Sequence, residues 1–255
     1  MDTTTVKDMQ GRVALVTGAA SGIGEAAVRR FAERGAAVVL VDRDEDNGRR
    51  VEAELRAGGT DASFFGADLT DHRQAAAAVD HAVDTFGGLH MAVNNAGIGG
   101  PLVSTEDYEV DAWREVMAIN VDAVFYCLRA ELRHMLAHGG GAIVNTGSMF
   151  SIVARDLMPA YVASKHAVLG LTRAAAIDCC TRGVRVNSVG PAVIQTPLLE
   201  RSLDPEASQA LADLNPSRRH GSPREVANVM TWLCSDEASF VNGALYTVDG
   251  AFTAR

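Results

Sequence analysis

The sequence has little from which a disulfide framework or a metal site could be built. It carries four cysteines in 255 residues, and Cys127, Cys179, Cys180 and Cys234 show no C-x-x-C spacing. The adjacent pair Cys179–Cys180 lies in a helix-like run unsuited to zinc, so buried reduced thiols are expected. His72, His81, His90, His134, His138, His166 and His220 are scattered without ligand spacing, and no metal is expected. Aromatic residues make up only 5% against 47% hydrophobic. The core therefore has to come from Ala, Val, Leu and Ile, as suits a buried parallel sheet. Basic residues are outnumbered 23 to 32, for a formal charge of −9. That argues against nucleic acid or an anionic membrane as partner and leaves room only for a local basic patch. No apolar run is long enough to span a bilayer, and Met1 to Gln10 holds no signal-peptide core, which predicts a cytoplasmic protein. There is no linker, composition break or long repeat, so 1–255 is expected to be one domain.

What is present begins at Arg12. The apolar run Val13-Ala14-Leu15-Val16-Thr17 breaks at Gly18-Ala19-Ala20-Ser21-Gly22-Ile23-Gly24 and gives way to a segment in which Ala27, Val28 and Phe31 recur at helical spacing. A strand–turn–helix of this kind aims free N–H groups and the positive end of the helix at one point, which suits a diphosphate. Gly18 permits the sharp turn, Gly22 a close approach of backbone to phosphate, and Gly24 tight packing of helix on strand. The spacing is G-x-x-x-G-x-G, and a glycine turn can also merely connect two elements. The next strand, Ala36 to Val41, ends in Asp42, which after a complete βαβ unit can accept hydrogen bonds from an adenosine ribose.

The alternation continues along the chain. A helix from Asp44 to Ala57 precedes a strand at Ala62–Ala67 closing at Asp68, and Asp71 caps a helix to about Phe86. Leu89–Asn94 is a fourth strand. Asn94 and Asn95 either satisfy local backbone or brace that strand. Asp111 to His138 reads as a long helix interrupted by the polar Asn120, which either finds partners or loosens the ladder and binds water. A strand at 142–146 leads to Gly147-Ser148, a helix runs from about Ala160 to Arg182, and a strand at 184–189 ends at Gly190-Pro191. A helical segment from Thr196 to Pro216, a helix at 223–235 and a strand at 244–248 complete the chain. The fold expected is α/β: a doubly wound, Rossmann-like parallel sheet of seven strands with helices on both faces. Thr17–Gly24, Asp42, Asp68, Asn94–Gly97, Ser148 and Pro191–Thr196 all fall at strand carboxyl ends, where such sheets bind ligands.

Tyr161 and Lys165 stand four residues apart on one helix face, about 6 Å along the axis. A phenol with an ordinary pKa near 10 is a poor base at neutral pH unless a cation favours its anion, and Lys165 can supply that charge. Ser148 can donate to an oxygen on which charge develops. Such a pair alone is more often a solvated helix surface, but this one follows Ser148 at the same rim.

Taken together, these pieces resemble the short-chain dehydrogenase/reductase family in its compact branch: Thr17-Gly18-x-x-x-Gly22-x-Gly24, Asn94-Asn95-Ala96-Gly97, Asn120, Ser148, Tyr161-x-x-x-Lys165 and Pro191 to Thr196. The resemblance implies that Tyr161 exchanges the hydroxyl proton and Ser148 orients the substrate oxygen. Lys165 would lower the Tyr161 pKa and hold the nicotinamide ribose, and Asn120 would position a water leading from Lys165 to solvent. It implies a cofactor site made by Gly18, Ser21, Gly22, Ile23, Gly24, Asp42, Arg43, Asp68, Leu69, Asn95, Ala96, Gly97, Tyr161, Lys165, Pro191, Ala192, Ile194 and Thr196. Two positions depart from the family: Ala192 stands where Gly is usual, and Ala251 follows Asp249-Gly250 where a second Gly is usual. Ala disfavours positive φ, so Ala192 is expected to shift the nicotinamide-side turn.

The function expected is NAD-dependent hydride transfer between a small secondary alcohol and its ketone. Asp42 would repel a 2′-phosphate and favour NAD over NADP, with Arg43 as the complication. The alternatives are a 3-oxoacyl-carrier reductase, with Arg129, Arg133, Arg173 and Arg218-Arg219 as weak docking candidates, and a redox-inert nucleotide-binding scaffold. Met149–Val153, Met158, Leu198, Leu199, Leu203, Leu211 and Leu214 either line a site for an apolar-bodied substrate or pack a lid on the core. The helices over Val121–Leu136 and Ala167–Ile177, apolar beyond one stripe, together with the family's habit predict a homotetramer.

Overall fold

The computed structural model describes residues 7–196, 199, 204–213 and 215–254. Seven strands form one sheet: β1 (Val13–Thr17), β2 (Ala37–Asp42), β3 (Ala62–Gly66), β4 (Met91–Asn94), β5 (Gly141–Thr146), β6 (Val184–Pro191) and β7 (Leu245–Val248). Their order is β3-β2-β1-β4-β5-β6-β7, and every pairing is parallel. The chain winds outward from β1 to β3 and then returns to lay β4 on the other side of β1. The connections leaving β1 and β4 therefore diverge and open a crevice between them, the place where such sheets receive ligands.

The apolar strands are continuous because they are covered on both faces. In β1, Ala14 and Val16 enter one core layer, while Val13 and Leu15 enter the other. The first layer is closed by α1 (Gly22–Glu33), α2 (Glu45–Ala57) and α8 (Pro223–Cys234), and the second by α3 (His72–Phe86), α5 (Ala123–Ala137) and α6 (Pro159–Cys179). Gly24, Ala27, Val28 and Phe31 make the buried stripe of α1. Burying a side chain such as Phe31 contributes about 1.5–3 kcal/mol. α4 (Val110–Met117) and α7 (Pro205–Asp213) complete the helices. Caps act where the sequence places them: Asp71 accepts from Arg73 N, and Ser222 with Glu225 forms a capping box.

Several boundaries differ from the sequence reading: β4 begins at Met91 instead of Leu89, and β6 runs on to Pro191 instead of ending at Val189. α6 ends at Cys179 instead of reaching Arg182. The long helix expected over 111–138 is α4 and α5 joined through a π-turn at Ala118–Asp122, with Asn120 at its centre. The polar interruption widens the helix by one residue and turns the amide inward, a common arrangement at functional sites.

Candidate active site

At the turn after β1, Gly18 and Gly22 take φ values of +64° and +56°, which side-chain-bearing residues rarely adopt. A Cβ on Gly24 would lie 2.0 Å from Gly18 O, so the helix can start here only because that atom is missing. Ser21, the N-cap of α1, makes no side-chain cap bond, which leaves the first N–H groups of the helix facing outward for an anion. Thr196 lies across this turn, its Cγ2 3.3 Å from where a Cβ on Gly22 would stand.

The carboxylate of Asp42, at the end of β2, accepts from Ala20 N at 2.9 Å and Asp44 N at 3.0 Å, which ties the glycine turn to the next strand. Arg43 is exposed beside it. Asp68 ends up exposed, its carboxyl lowered by hydrogen bonds from Thr70 and, more weakly, by Arg43. The side chains of Leu69 and Ile23 pack on the core, Leu69 buried and Ile23 partly so. Ala96 likewise packs on the core.

Loops after β1, β4 and β5 are sewn together by polar groups. Thr17 Oγ1 accepts from Asn95 N at 2.9 Å and Ala96 N at 3.1 Å, while Asn95 Nδ2 donates to Thr17 O at 3.1 Å. Thr146 Oγ1 donates to Asn95 Oδ1 at 3.4 Å. Asn120 is fully buried, accepting from Ile98 N at 2.8 Å and donating to Ile98 O at 2.9 Å and Ser164 Oγ at 3.1 Å. A Cβ on Gly97 would come 3.1 Å from Asn120 Oδ1 and 3.6 Å from Lys165 Nζ, so this glycine keeps the floor of the crevice open.

Ser148 caps a short 3-10 turn at Met149–Ser151, accepting from Phe150 N at 3.2 Å, and its hydroxyl reaches Pro191 O at 3.5 Å. Ser151 Oγ donates to Lys165 O at 2.9 Å, which fixes the turn against α6. Lys165 is 5% exposed, and its Nζ stands 5.5 Å from the Tyr161 ring centroid. The Nζ donates to Thr146 O at 2.9 Å, and burial lowers its pKa to about 8. Burial pushes the Tyr161 phenol up, while its hydrogen bond with Ser148 pulls the other way. Asn120, Ser148, Tyr161 and Lys165 are thus brought to one place. An ammonium with three donors and a carbonyl as its partner, beside an open glycine floor, fits a ribose diol, and the uncapped helix start fits a diphosphate.

On the nicotinamide side, Ala192 is not in the positive-φ region: its N–H donates to Val248 O at 3.1 Å and continues the sheet. Ala192 therefore keeps out of the region that an alanine disfavours. The strain falls on the second departure, Ala251, at φ +70°. Ile194 is held by a bridge to Gly221, and Thr196 Oγ1 accepts from Leu199 N at 3.4 Å. At the mouth, Phe150 meets the Tyr161 ring edge-on at 6.3 Å, and Ile152 is half-exposed. Leu157, which the sequence reading passed over, has φ +59° and accepts from Val103 N at 2.9 Å. Leu198, Leu203 and Leu214 lie outside the described residues. Sequence reasoning named Ser151 only within the Met149–Val153 segment and not for its hold on α6, and it missed Ser164, although that residue precedes Lys165 within the Tyr-x-x-x-Lys segment, and the buried Glu131.

A parallel sheet crossed at β1/β4, a glycine turn opening a helix, and a Ser–Tyr–Lys–Asn cluster define a dinucleotide-dependent oxidoreductase. Residues 18–253 match the family described as enoyl-(acyl carrier protein) reductase. The chain is 44% identical over 244 residues to cyclohexanol dehydrogenase of Acinetobacter sp. (strain SE19), covering 96% of each chain. It is 44% identical over 243 residues to cis-4-hydroxycyclohexanecarboxylate dehydrogenase of Sinomonas cyclohexanicum, covering 95% of this chain and 97% of that one. The crystal structure of NAD+-bound xylitol dehydrogenase superimposes with a TM-score of 0.91 at 33% identity, covering 95% and 99%. The chain belongs to the short-chain dehydrogenase/reductase family, whose members are oxidoreductases that work with a nicotinamide cofactor.

Proposed function

We propose that this protein is an NAD-dependent dehydrogenase that interconverts a secondary alcohol on an apolar ring with its ketone. The observation that carries the reading is the buried Lys165 Nζ 5.5 Å from the Tyr161 ring, with Ser148 hydrogen-bonded to the phenol. The nicotinamide, when bound, accepts or gives the hydride. Tyr161 moves the proton at the substrate oxygen, and Lys165 stabilises the phenolate that results. Ser148 donates to the substrate oxygen as charge grows on it. Asn120 holds the π-turn and Ile98 in register with Lys165. The turn at Gly18–Gly24 would take the diphosphate, Asp42 the adenosine ribose, and Asn95–Gly97 with Pro191–Thr196 the nicotinamide half.

NAD is preferred on this reading because Asp42 meets the ribose before Arg43 does, and the carboxylate repels a 2′-phosphate. The ring substrate is supported by two relatives whose names specify cyclohexane alcohols and by apolar groups at the mouth. The 3-oxoacyl alternative is weaker: Arg219, one of its docking candidates, is engaged by Glu225 at 2.8 and 3.0 Å. A redox-inert scaffold would have no use for the four convergent groups. One sheet with both faces covered supports a single domain, and four free cysteines suit a reducing, cytoplasmic setting. Phe125 on α5 and Ile177 on α6, the latter 75% exposed, support pairing of these helices in a homotetramer. The test is a panel of cyclic and acyclic secondary alcohols followed at the nicotinamide absorbance with both cofactors. Oxidation of ring alcohols with NAD+ is expected, and Asp42→Ala should move the NADP/NAD ratio of kcat/KM up by roughly tenfold. Higher kcat/KM with NADP+ in the parent protein would overturn the cofactor assignment.

A further inference from the structure

Beneath the catalytic groups runs a line of buried polar side chains that the proposed reaction does not use, and its orientation can be read from one end. Thr172 Oγ1 donates to Val168 O at 2.8 Å, so toward Asn145 it can only accept, and Asn145 Nδ2 donates to it at 3.0 Å. Asn145 Oδ1 therefore accepts, from Asn94 Nδ2 at 3.0 Å, and the same nitrogen donates to Glu131 Oε2 at 2.9 Å. Each amide is fixed by its neighbour. All four side chains are at most 1% exposed. Two atoms of the line are left buried without a partner, Asn94 Oδ1 and Glu131 Oε1. Both are acceptors if Glu131 is ionised, and a buried carboxylate with a single hydrogen bond is strongly disfavoured.

We propose that Glu131 is a positioning residue carried as the neutral carboxylic acid, its proton bridging Oε1 to Asn94 Oδ1 so that acid and amide close a two-bond pair clamping β4 to α5. One proton supplies the donor that both left-over acceptors lack. The surroundings agree. Burial pushes the Glu131 carboxyl up to about 7, against the hydrogen bond from Asn94, which lowers it. Its hydrogen-bond line is neutral, running through Asn94 to Asn145 and Thr172, and α5 packs on α3 in the apolar cluster that holds Ala75, Ala78, Val79 and Ala82. The titratable groups that feel its charge are two thiols, Cys127 on α5 and Cys234 on α8, both raised by burial and so neutral themselves.

The clamp bears on three supports of Lys165. Asn94 precedes the Asn95–Gly97 floor, Asn145 precedes the carbonyl of Thr146 that receives Nζ, and Thr172 lies two turns along the same helix. The kinetic consequence rests on the dehydrogenase reading, whereas the thermal and spectroscopic consequences do not.

Between about pH 4.5 and about pH 7 the folded chain keeps a proton that the unfolded chain has lost, so Glu131 makes stability fall as pH rises through that window. Glu131→Gln carries an N–H where the acid carries O–H. It should hold its Tm relative to the parent at about pH 5 and gain on it by roughly 5–10 °C at about pH 8. It should also keep kcat/KM within about twofold, while Glu131→Ala loses roughly tenfold or more through misplacement of the site. The infrared spectrum of the parent at about pH 6 should contain a protonated-carboxyl C=O band that is missing from Glu131→Gln. Absence of that band, or Gln proving as damaging to Tm as Ala, would overturn the proposal. If the band and the Tm pattern are found in a protein that oxidises no alcohol, the clamp stands and only the dehydrogenase reading fails.

Discussion

At the amino ends of β1–β3 lies a groove of about 690 Å³, lined by residues that include Gln10, Arg29, Glu33, Glu54, Thr60 and Asp61. Much of its charge is paired at the surface: Arg29 donates to Glu25 at 2.7 Å and to Glu54, Arg50 bridges the same two carboxylates, and Glu33 pairs with Arg30 and Arg224. At the carboxyl ends the arrangement is reversed. Lys165, Asn120 and Ser148 are buried, and Lys165 has a backbone carbonyl where a surface lysine would have water. A self-paired, solvated groove costs little and signals little, whereas burying an ammonium without a counter-ion is expensive and persists where something else requires it. The more telling measure of a site is the cost of what it buries, not the size of its opening.

Four changes sharpen or break that contrast. Gly24→Ala drives a Cβ into Gly18 O and should cost about 3 kcal/mol, read as a lower urea midpoint with NADH binding lost. If this variant is as stable as the parent and binds NADH, the turn is not built as described. Lys165→Met keeps the buried stem and removes the charge, and should lower kcat/KM by about 10²-fold with weaker NADH binding. It should also erase a pH effect. Between about pH 8 and about pH 10.5 the unfolded chain holds a proton that folded Lys165 has released, so the stability of the parent rises with pH there and that of the variant does not. Ala251→Gly relieves a positive φ and should raise stability by about 1 kcal/mol in chemical denaturation. Glu54→Gln, in the amino-end groove, should leave turnover within about twofold of the parent. A larger loss there would show that the groove matters to the reaction.

Much of the carboxyl-end rim was legible because its chemistry is written in short range. Gly18, Gly22 and Gly24 are needed by a turn whose two ends are local, and Tyr161 with Lys165 occupies one helix face by spacing alone. Alternating burial along β1 is likewise a local property of an apolar run. Long-range partners were not legible. Asn120 stood out as a polar break, but its partners, Ile98 and Ser164, are set by how α4, the π-turn and α6 meet. Glu131 reads as an ordinary charged residue in a helix, since its burial depends on α3 packing against α5 and on β4 presenting Asn94. Ala192 stays outside the positive-φ region because pairing of β6 with β7 extends through its N–H, whereas Ala251, the other departure from the family pattern, takes φ +70°.

In the proposed mechanism the Tyr161 hydroxyl transfers the proton, and Tyr161→Phe removes that one oxygen. NADH binding, followed by its fluorescence, and turnover on a ring alcohol should be measured on the same preparation. Deleting one oxygen leaves the ring to pack, so the variant should fold and bind NADH as the parent does. Turnover should fall by roughly 10²–10⁴-fold, the contribution of positioned proton transfer. A variant that turns over within a few-fold of the parent would contradict the account and leave Tyr161 as a packing residue at the start of α6.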